Sequence, residues 1–167
     1  MTENLYTPDC IRTFSGIYVN VFEPKPDMIC IEDIAHALSH IPRFGGHLPK
    51  FYSVAQHSRH CSDLVSKEFQ LEALLHDAGE AYLGGDVPSP IKKRLPQYRA
   101  MEDRLMGVIA KKFGFRYPKS PEVKEADKKM LETEWHSLML GRDDGLPTYT
   151  SEEAKFLFIK AFNDLTK

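Results

Sequence analysis

The chain has 167 residues, which fits a single domain spanning residues 1–167, and 42% of them are hydrophobic. The net charge of -2 argues against duplex nucleic acid as the main partner, because nucleic-acid binders usually carry a basic excess. No run of roughly 18 apolar residues occurs, so no membrane-spanning helix is expected. The first residues lack the pattern of a signal peptide, and the three cysteines are far apart in sequence. A cytoplasmic, reducing location is therefore expected.

The first predicted element is a short β-hairpin. Residues 11–22 are rich in β-branched and aromatic side chains and contain a central Ser-Gly pair. A helix should follow, because apolar residues recur at a 3.6-residue period from Ile31 to Ile41. Pro42 ends this helix, and residues 43–49 should form a loop.

The rest of the chain predicts further helices joined by short connections. Ser53 is a good N-cap for a second helix that runs to about Glu68. Two glycines and two prolines make residues 84–90 a loop. The expected fold is therefore mostly α, a helical bundle with a small N-terminal β-hairpin. The remaining helices are predicted at 71–82, 97–113, 121–140 and 151–164.

A possible functional group lies on the third predicted helix. His76 and Asp77 follow an apolar run, and Glu80 comes four residues after His76. This spacing would place the three side chains toward one side of a helix. By itself the pattern is equally typical of a solvated helix face with local ion pairing.

Two more residues of ligand type favour a metal site. His57 lies on the preceding predicted helix, and Asp127 lies on a later one. With His76 and Asp77 they offer two imidazoles and two carboxylates, which suit Mn, Fe, Co, Ni or Zn and leave positions open for water and substrate. Such an ion lowers the pKa of bound water and polarises a phosphoryl oxygen. The four residues therefore predict a catalytic metal site.

The order of these residues resembles the HD phosphohydrolase superfamily. The surrounding residues resemble a compact subfamily that includes bacterial 5'-deoxynucleotidases and small phage deoxynucleoside triphosphohydrolases, among them those that remove dATP. The resemblance covers residues 12–135 and implies the helical bundle of the HD domain. It rests on the segments Ile31-Glu-Asp-Ile-Ala-His-Ala-Leu38, Arg43-Phe-Gly-Gly-His47, Phe51-Tyr-Ser-Val-Ala-Gln-His-Ser58 and Leu74-Leu-His-Asp-Ala-Gly-Glu-Ala-Tyr-Leu-Gly-Gly-Asp-Val-Pro-Ser-Pro-Ile-Lys92.

The resemblance also implies roles for individual residues. Glu80 would be the acid/base or water-positioning group, and Asp86 would assist it or hold a second ion. Arg43 would bind the substrate phosphate. We expect the loop between Glu80 and Asp86 to vary in length within the family, which leaves the role of Asp86 less defined. The principal divalent ion (Co, Mn, Zn, Fe or Mg) would be held by His57, His76, Asp77 and Asp127.

Four residues are predicted to contact substrate, each with a structural alternative. Arg43 and Lys92 would meet phosphates, although Arg43 could instead cover apolar surface and Lys92 could belong to a solvated face. Phe44 could stack on a base or pack in the core, as could Tyr82. His47 could reach the substrate or form a structural hydrogen bond. Trp135 is expected to pack into the bundle.

The predicted function is metal-dependent hydrolysis of a nucleotide phosphate. The resemblance favours a deoxynucleoside triphosphate of the dATP type, cleaved to deoxynucleoside and triphosphate. The alternative is a 5'-deoxynucleotidase that acts on monophosphates. A nucleotide-binding regulatory module without turnover is a third possibility, against which the intact set of ligand residues argues. Homo-oligomerisation is implied by the resemblance alone.

Overall fold

A two-stranded β-hairpin begins the computed structural model, which describes residues 8–142 and 145–167. Strands β1 (Cys10–Arg12) and β2 (Tyr18–Asn20) pair antiparallel. Their turn is held by the buried carboxylate of Asp33, which accepts hydrogen bonds of 2.7 Å from the hydroxyls of Thr13 and Ser15. The predicted hairpin is confirmed, and it is fastened to the first helix. The residues on which a signal peptide was judged absent lie outside the described range.

Seven α-helices follow in the described part of the chain, and the predicted fold class is confirmed. They are joined mainly by short turns of 3-10 helix and irregular loops. No helix among the described residues has the length and apolarity needed to span a bilayer, as predicted. The helices are α1 (Ile31–His40), α2 (Val54–Asp63), α3 (Gln70–Leu75), α4 (Ser89–Lys92), α5 (Pro96–Phe113), α6 (Pro121–Glu134) and α7 (Ser151–Leu165).

Helix α2 lies at the centre of the bundle, where it contacts α1, α3, α6 and α7. It begins as predicted at Ser53, whose hydroxyl accepts a hydrogen bond of 3.1 Å from the backbone N–H of Gln56. Its central position buries even polar side chains, and His57 is fully buried. The apolar core around it includes Leu38, Leu74, Ile109 and Phe158.

The start of α6 is fastened to α3 by a buried carboxylate. Glu72 accepts a hydrogen bond of 2.6 Å from the backbone N–H of Ser120. The Ser120 hydroxyl in turn caps α6 by accepting from Val123. These contacts fix where α6 enters the bundle, and they thereby place Asp127 opposite α2 and α3.

Three helix boundaries differ from the sequence prediction. Helix α2 ends at Asp63 and does not continue to Glu68. The α-helical part of α6 ends at Glu134, and a π-helical turn covers Trp135–Met139. Helix α4 lies partly in the segment predicted as loop, because Pro90 occupies its first turn, where a missing N–H costs no hydrogen bond.

The third predicted helix is interrupted at the candidate site. Its α-helical part ends at Leu75, the backbone of Asp77 leaves helical geometry (φ -107°, ψ 15°), and Ala78–Ala81 forms a 3-10 turn. At Gly79 a Cβ atom would lie 3.1 Å from the sulfur of Met106, so the turn packs directly against α5. The prediction of a continuous helix over 71–82 was wrong, because this close contact with α5 decides the local backbone.

Candidate metal centre and cleft

The four predicted metal ligands meet where α2, the end of α3 and α6 come together. The Nε2 atom of His57 lies 3.2 Å from Oδ1 of Asp127 and 3.8 Å from Oδ2 of Asp77. The Nε2 atom of His76 lies 3.2 Å from Oδ2 of Asp77 and 3.6 Å from Oδ1 of Asp127. Donors held at about 2.0–2.2 Å from one ion lie roughly 3.0–3.6 Å apart, a range that three of these four separations meet and that His57–Asp77 exceeds slightly, so the cluster suits a divalent cation.

Both imidazoles are oriented so that Nε2 faces the carboxylates. His76 donates from Nδ1 to the carbonyl of Ala73 at 2.6 Å, and His57 donates from Nδ1 to Glu134 at 2.5 Å. Within the described residues, the buried Nε2 of His76 has no hydrogen-bond partner. A lone pair that faces carboxylates is stable only with a proton or a cation between them. The arrangement therefore suits a bound cation.

Charge in the cluster shifts the ionisation of its members in the metal-free chain. Burial lowers the pKa of His76, but Asp77 and Asp127 outweigh it and raise the pKa to about 10. Burial raises the pKa of both carboxyls, yet the imidazoles beside them bring it below its usual range. The cluster thus holds protons on nitrogen and negative charge on oxygen, and a metal ion would replace the protons.

Two charged residues that were not predicted from the sequence form hydrogen bonds with the candidate metal ligands and orient them. Lys119 donates to Oδ2 of Asp127 at 2.7 Å, which leaves Oδ1 facing the imidazoles. Glu134 is fully buried and accepts from Nδ1 of His57, and its other oxygen accepts from Nε and Nη2 of Arg43 at 3.2 and 2.8 Å. Glu134 follows Asp127 by seven residues, two turns along the same face of α6, and this spacing could have indicated it.

Cys61 is a third residue that the sequence reasoning missed. It follows His57 by one helical turn, is fully buried, and its Sγ lies 3.5 Å from Nε2 of His57. The donor atoms of His57, Cys61, His76 and Asp127 all lie within 4.8 Å of one another. The i, i+4 spacing of a histidine and a cysteine on a predicted helix was the available signal.

A cleft of about 690 Å³ lies above the centre and contains most of the predicted catalytic and substrate residues. Asp77 and Asp127 reach it from below, while the side chains of His57 and His76 are fully buried. His47, predicted to contact substrate, is exposed and is not among the described side chains that line the cleft. The lining residues from the prediction are Arg43, Phe44, Glu80, Asp86 and Lys92.

Glu80 is a buried carboxyl group in this cleft. Its Oε1 lies 3.6 Å from Nζ of Lys92, and its Oε2 has no hydrogen-bond partner within the described part of the chain. Burial, Asp77 and Asp86 raise its pKa well above the usual value, more than Lys92 lowers it. These surroundings favour the neutral form of Glu80, the form that can donate a proton. It reaches the cleft from the 3-10 turn and not from a continuous helix.

Arg43 is held inside the cleft by an unusual turn. Phe44 has φ 55°, a left-handed conformation rare for a residue with a side chain, and Gly45 and Gly46 also have positive φ. This turn buries the guanidinium, whose Nη1 donates to Asp86 at 3.1 Å. The phosphate-binding group predicted from the sequence thus lies at the cleft, held on both sides by carboxylates.

Two aromatic side chains form one wall of the cleft. The rings of Phe44 and Trp135 have centroids 6.1 Å apart, and both residues line the cleft. Trp135 is 45% exposed, so the prediction that it packs into the bundle was wrong: it follows Asp127 and Leu131 at four-residue spacing, and all three line the cleft. Tyr82, by contrast, is buried in the core.

Fold and site together define a mostly helical protein with a candidate metal centre beneath a cleft lined by both charged and apolar side chains. No family model matches the chain. It is 50% identical over 135 residues to YfdR, an uncharacterized protein of Escherichia coli (strain K12), covering 81% of this chain and 74% of that protein. The chain belongs to the same family as YfdR. It is also 36% identical over 113 residues to the uncharacterized protein RCAP_rcc00048 of Rhodobacter capsulatus, covering 62% of this chain and 57% of that protein.

Proposed function

We propose that this chain is a metal-dependent phosphohydrolase of the HD type that acts on nucleotides. The observation that carries the proposal is the convergence of four ligand side chains at the floor of a cleft lined by Arg43, Glu80 and Lys92. Cationic side chains, a carboxyl that favours its protonated form and a metal centre are groups that commonly act together in phosphate hydrolysis. A site with only a structural metal would be closed, whereas here Asp77 and Asp127 open into the cleft.

The ion would be held by His57, His76, Asp77 and Asp127, with Glu134 and Lys119 orienting two of these ligands. When bound, it would supply a Lewis acid for a phosphoryl oxygen and lower the pKa of water. A second ion near Glu80 and Asp86 remains a prediction.

Arg43 would bind the phosphate by releasing the carboxylate of Asp86 and donating to a phosphate oxygen in its place. Its Nη1 donates to Asp86, which is partly exposed, while Nε and Nη2 stay on the fully buried Glu134. A phosphate oxygen can take the place of Asp86, because Asp86 lies on the open side of the cleft and Glu134 does not. Glu134 would then hold the plane of the Arg43 guanidinium fixed while its remaining N–H groups bind the substrate phosphate.

Glu80 would deliver a proton to the leaving oxygen. Burial and the two neighbouring carboxylates of Asp77 and Asp86 raise its pKa and so favour the protonated form from which it would donate. Lys92, 3.6 Å away, would stabilise the carboxylate after the proton has left. The same lysine donates to Glu102 at 2.8 Å, which holds it beside the cleft.

The nucleoside would lie against the aromatic wall. Phe44 and Trp135 present ring surface to the cleft, and Val87 and Leu131 add apolar surface nearby. Bases stack readily on such rings. We propose a deoxynucleoside triphosphate of the dATP type as substrate and a cytoplasmic homo-oligomer as the working form.

Product analysis tests the proposal. The purified chain is incubated with Mn, Co, Mg or Zn and a panel of mono- and triphosphate nucleotides, with Asp77→Ala as the inactive control. Triphosphate and deoxynucleoside released together would support the triphosphohydrolase. Inorganic phosphate from monophosphates alone would establish the 5'-nucleotidase instead. No turnover with any ion, together with nucleotide binding, would identify a regulatory module.

A further inference from the structure

We propose that Cys61 is a thiolate ligand of the ion at this centre and makes the centre selective for thiophilic divalent ions over Mg and Mn. This inference rests on the metal centre of the proposed function and not on its hydrolytic activity. Metal binding and nucleotide hydrolysis are measured separately, so each can fail without the other.

Distances around Cys61 match those of a ligand. Its Sγ lies 3.5 Å from Nε2 of His57, and Sγ falls within 4.8 Å of donor atoms of His76 and Asp127. A sulfur and a nitrogen bound to one ion at about 2.3 and 2.0–2.1 Å lie roughly 3.1–3.5 Å apart when the angle between them at the ion is about 90–110°. The 3.2 and 3.6 Å distances from Asp127 to the two imidazoles fit the same geometry.

A second observation points to an ion beside the thiol. Nε2 of His76 is fully buried and has no hydrogen-bond partner among the described residues, although it faces Asp77 and Asp127. Nε2 of His57 is surrounded in the same way by Asp127 and Sγ of Cys61. A cation shared by these atoms satisfies all of them at once.

The surroundings of Cys61 differ on its two sides. On one side it packs in an apolar cluster with Val65, Ala73, Val123 and Met130, as an ordinary buried cysteine would. On the other side it meets the ligand atoms. One turn of α2 separates Cys61 from His57, so the thiol lies at the boundary between the apolar cluster and the donor atoms.

The consequence is a preference among metals. Carboxylates and imidazoles alone accept many divalent ions, whereas thiolate favours softer ions such as Zn and Co. Binding would release the thiol proton to solvent and leave the thiolate on the ion.

Cobalt spectroscopy tests the proposal directly. The intact chain and its Cys61→Ser variant are titrated with Co, with Cys30→Ser as the matched control because Cys30 lies outside the donor cluster. We expect a sulfur-to-cobalt charge-transfer band in the unmodified chain and in the control, and its loss in Cys61→Ser. The variant should bind Zn about tenfold or more weakly while its affinity for Mn changes little.

Thiol protection provides an independent reading that needs no variant. Peptide mapping after alkylation should show Cys61 modified more slowly with Zn than with a chelator, and Cys30 modified equally in both. Absence of the cobalt band in the unmodified chain would overturn the proposal. His57→Ala separates the two proposals. If neither His57→Ala nor Cys61→Ser changes Co binding, the whole metal centre is misplaced. If His57→Ala abolishes Co binding and Cys61→Ser does not alter it, only the thiolate ligand is refuted.

Discussion

His57 and Glu134 are 77 positions apart in sequence, yet Nδ1 of the imidazole and Oε1 of the carboxylate lie 2.5 Å apart, both fully buried. The other oxygen of Glu134 accepts from Arg43 at 2.8 Å. One carboxylate therefore orients a metal ligand and the phosphate-binding arginine together. Histidine ligands are commonly fixed this way, and loss of the partner weakens metal binding.

Replacing Glu134 by Gln should lower metal affinity by about 10- to 100-fold. The neutral amide of glutamine cannot form charge-assisted hydrogen bonds with His57 and Arg43 as the carboxylate does. The KM for nucleotide should therefore rise as well. Competition with a chelating dye measures the affinity. Glu125→Gln, an exposed position on the same helix, is the control. Equal affinity in the Glu134 variant would show that it does not orient the ligand.

Arg43→Lys tests the guanidinium group that is proposed to bind phosphate. Lysine keeps the charge but cannot donate to Glu134 and to a phosphate in one plane, so kcat/KM should fall about tenfold or more, mainly through KM. Metal content should stay the same. Arg59→Lys, which alters a partly exposed ion pair with Asp63, should leave kinetics unchanged. A loss confined to kcat would argue against phosphate binding by Arg43.

Glu80→Gln tests the proton donor. We expect kcat to fall by about 10²–10⁴-fold while metal content is retained. Because Glu80 must be protonated to act, activity of the unmodified chain should decline as pH rises through the raised pKa of Glu80. The variant should lack that limb of the pH profile. Exposed Glu68→Gln is the control, and an unaltered profile in the Glu80 variant would exclude the assignment.

Trp135→Ala tests the aromatic wall. Removing the ring should raise KM about tenfold if a base stacks on it, with little effect on folding because the side chain is 45% exposed. Phe156→Ala on α7, 67% exposed, is the matched control. An unchanged KM would place the base elsewhere.

The stabilisation that metal binding provides should grow with pH. In the metal-free chain the pKa of His76 is raised to about 10 from its usual 6.5, so its contribution to stability is complete below 6.5 and is lost as pH approaches 10. A bound ion replaces this proton on His76. As pH rises, the proton competes less with the ion for that site. The Tm difference between Zn-loaded and chelated protein should therefore increase from about pH 6 to about pH 9. A constant difference would mean that binding releases no proton.

Patterns of local origin could be predicted well from the sequence. The hairpin, the N-cap at Ser53 and the span of α5 depend on neighbouring residues, and the structure agrees with each. The break after Leu75 could not be predicted, because it depends on the packing of Gly79 against Met106 of a distant helix.

Sequence alone determined the helical class and the residue types from which a metal centre is built, because helical period and capping are properties of contiguous residues. Only the tertiary structure decided which side chains surround that centre. Glu134, Lys119 and Cys61 reach it because α2, α3 and α6 meet there, and Trp135 faces the cleft because that packing turns the Asp127 face of α6 toward it. The spacing of Glu134 and Cys61 could have marked them as neighbours of the ligands, but how close each comes to the centre depends on how helices pack across long sequence separations.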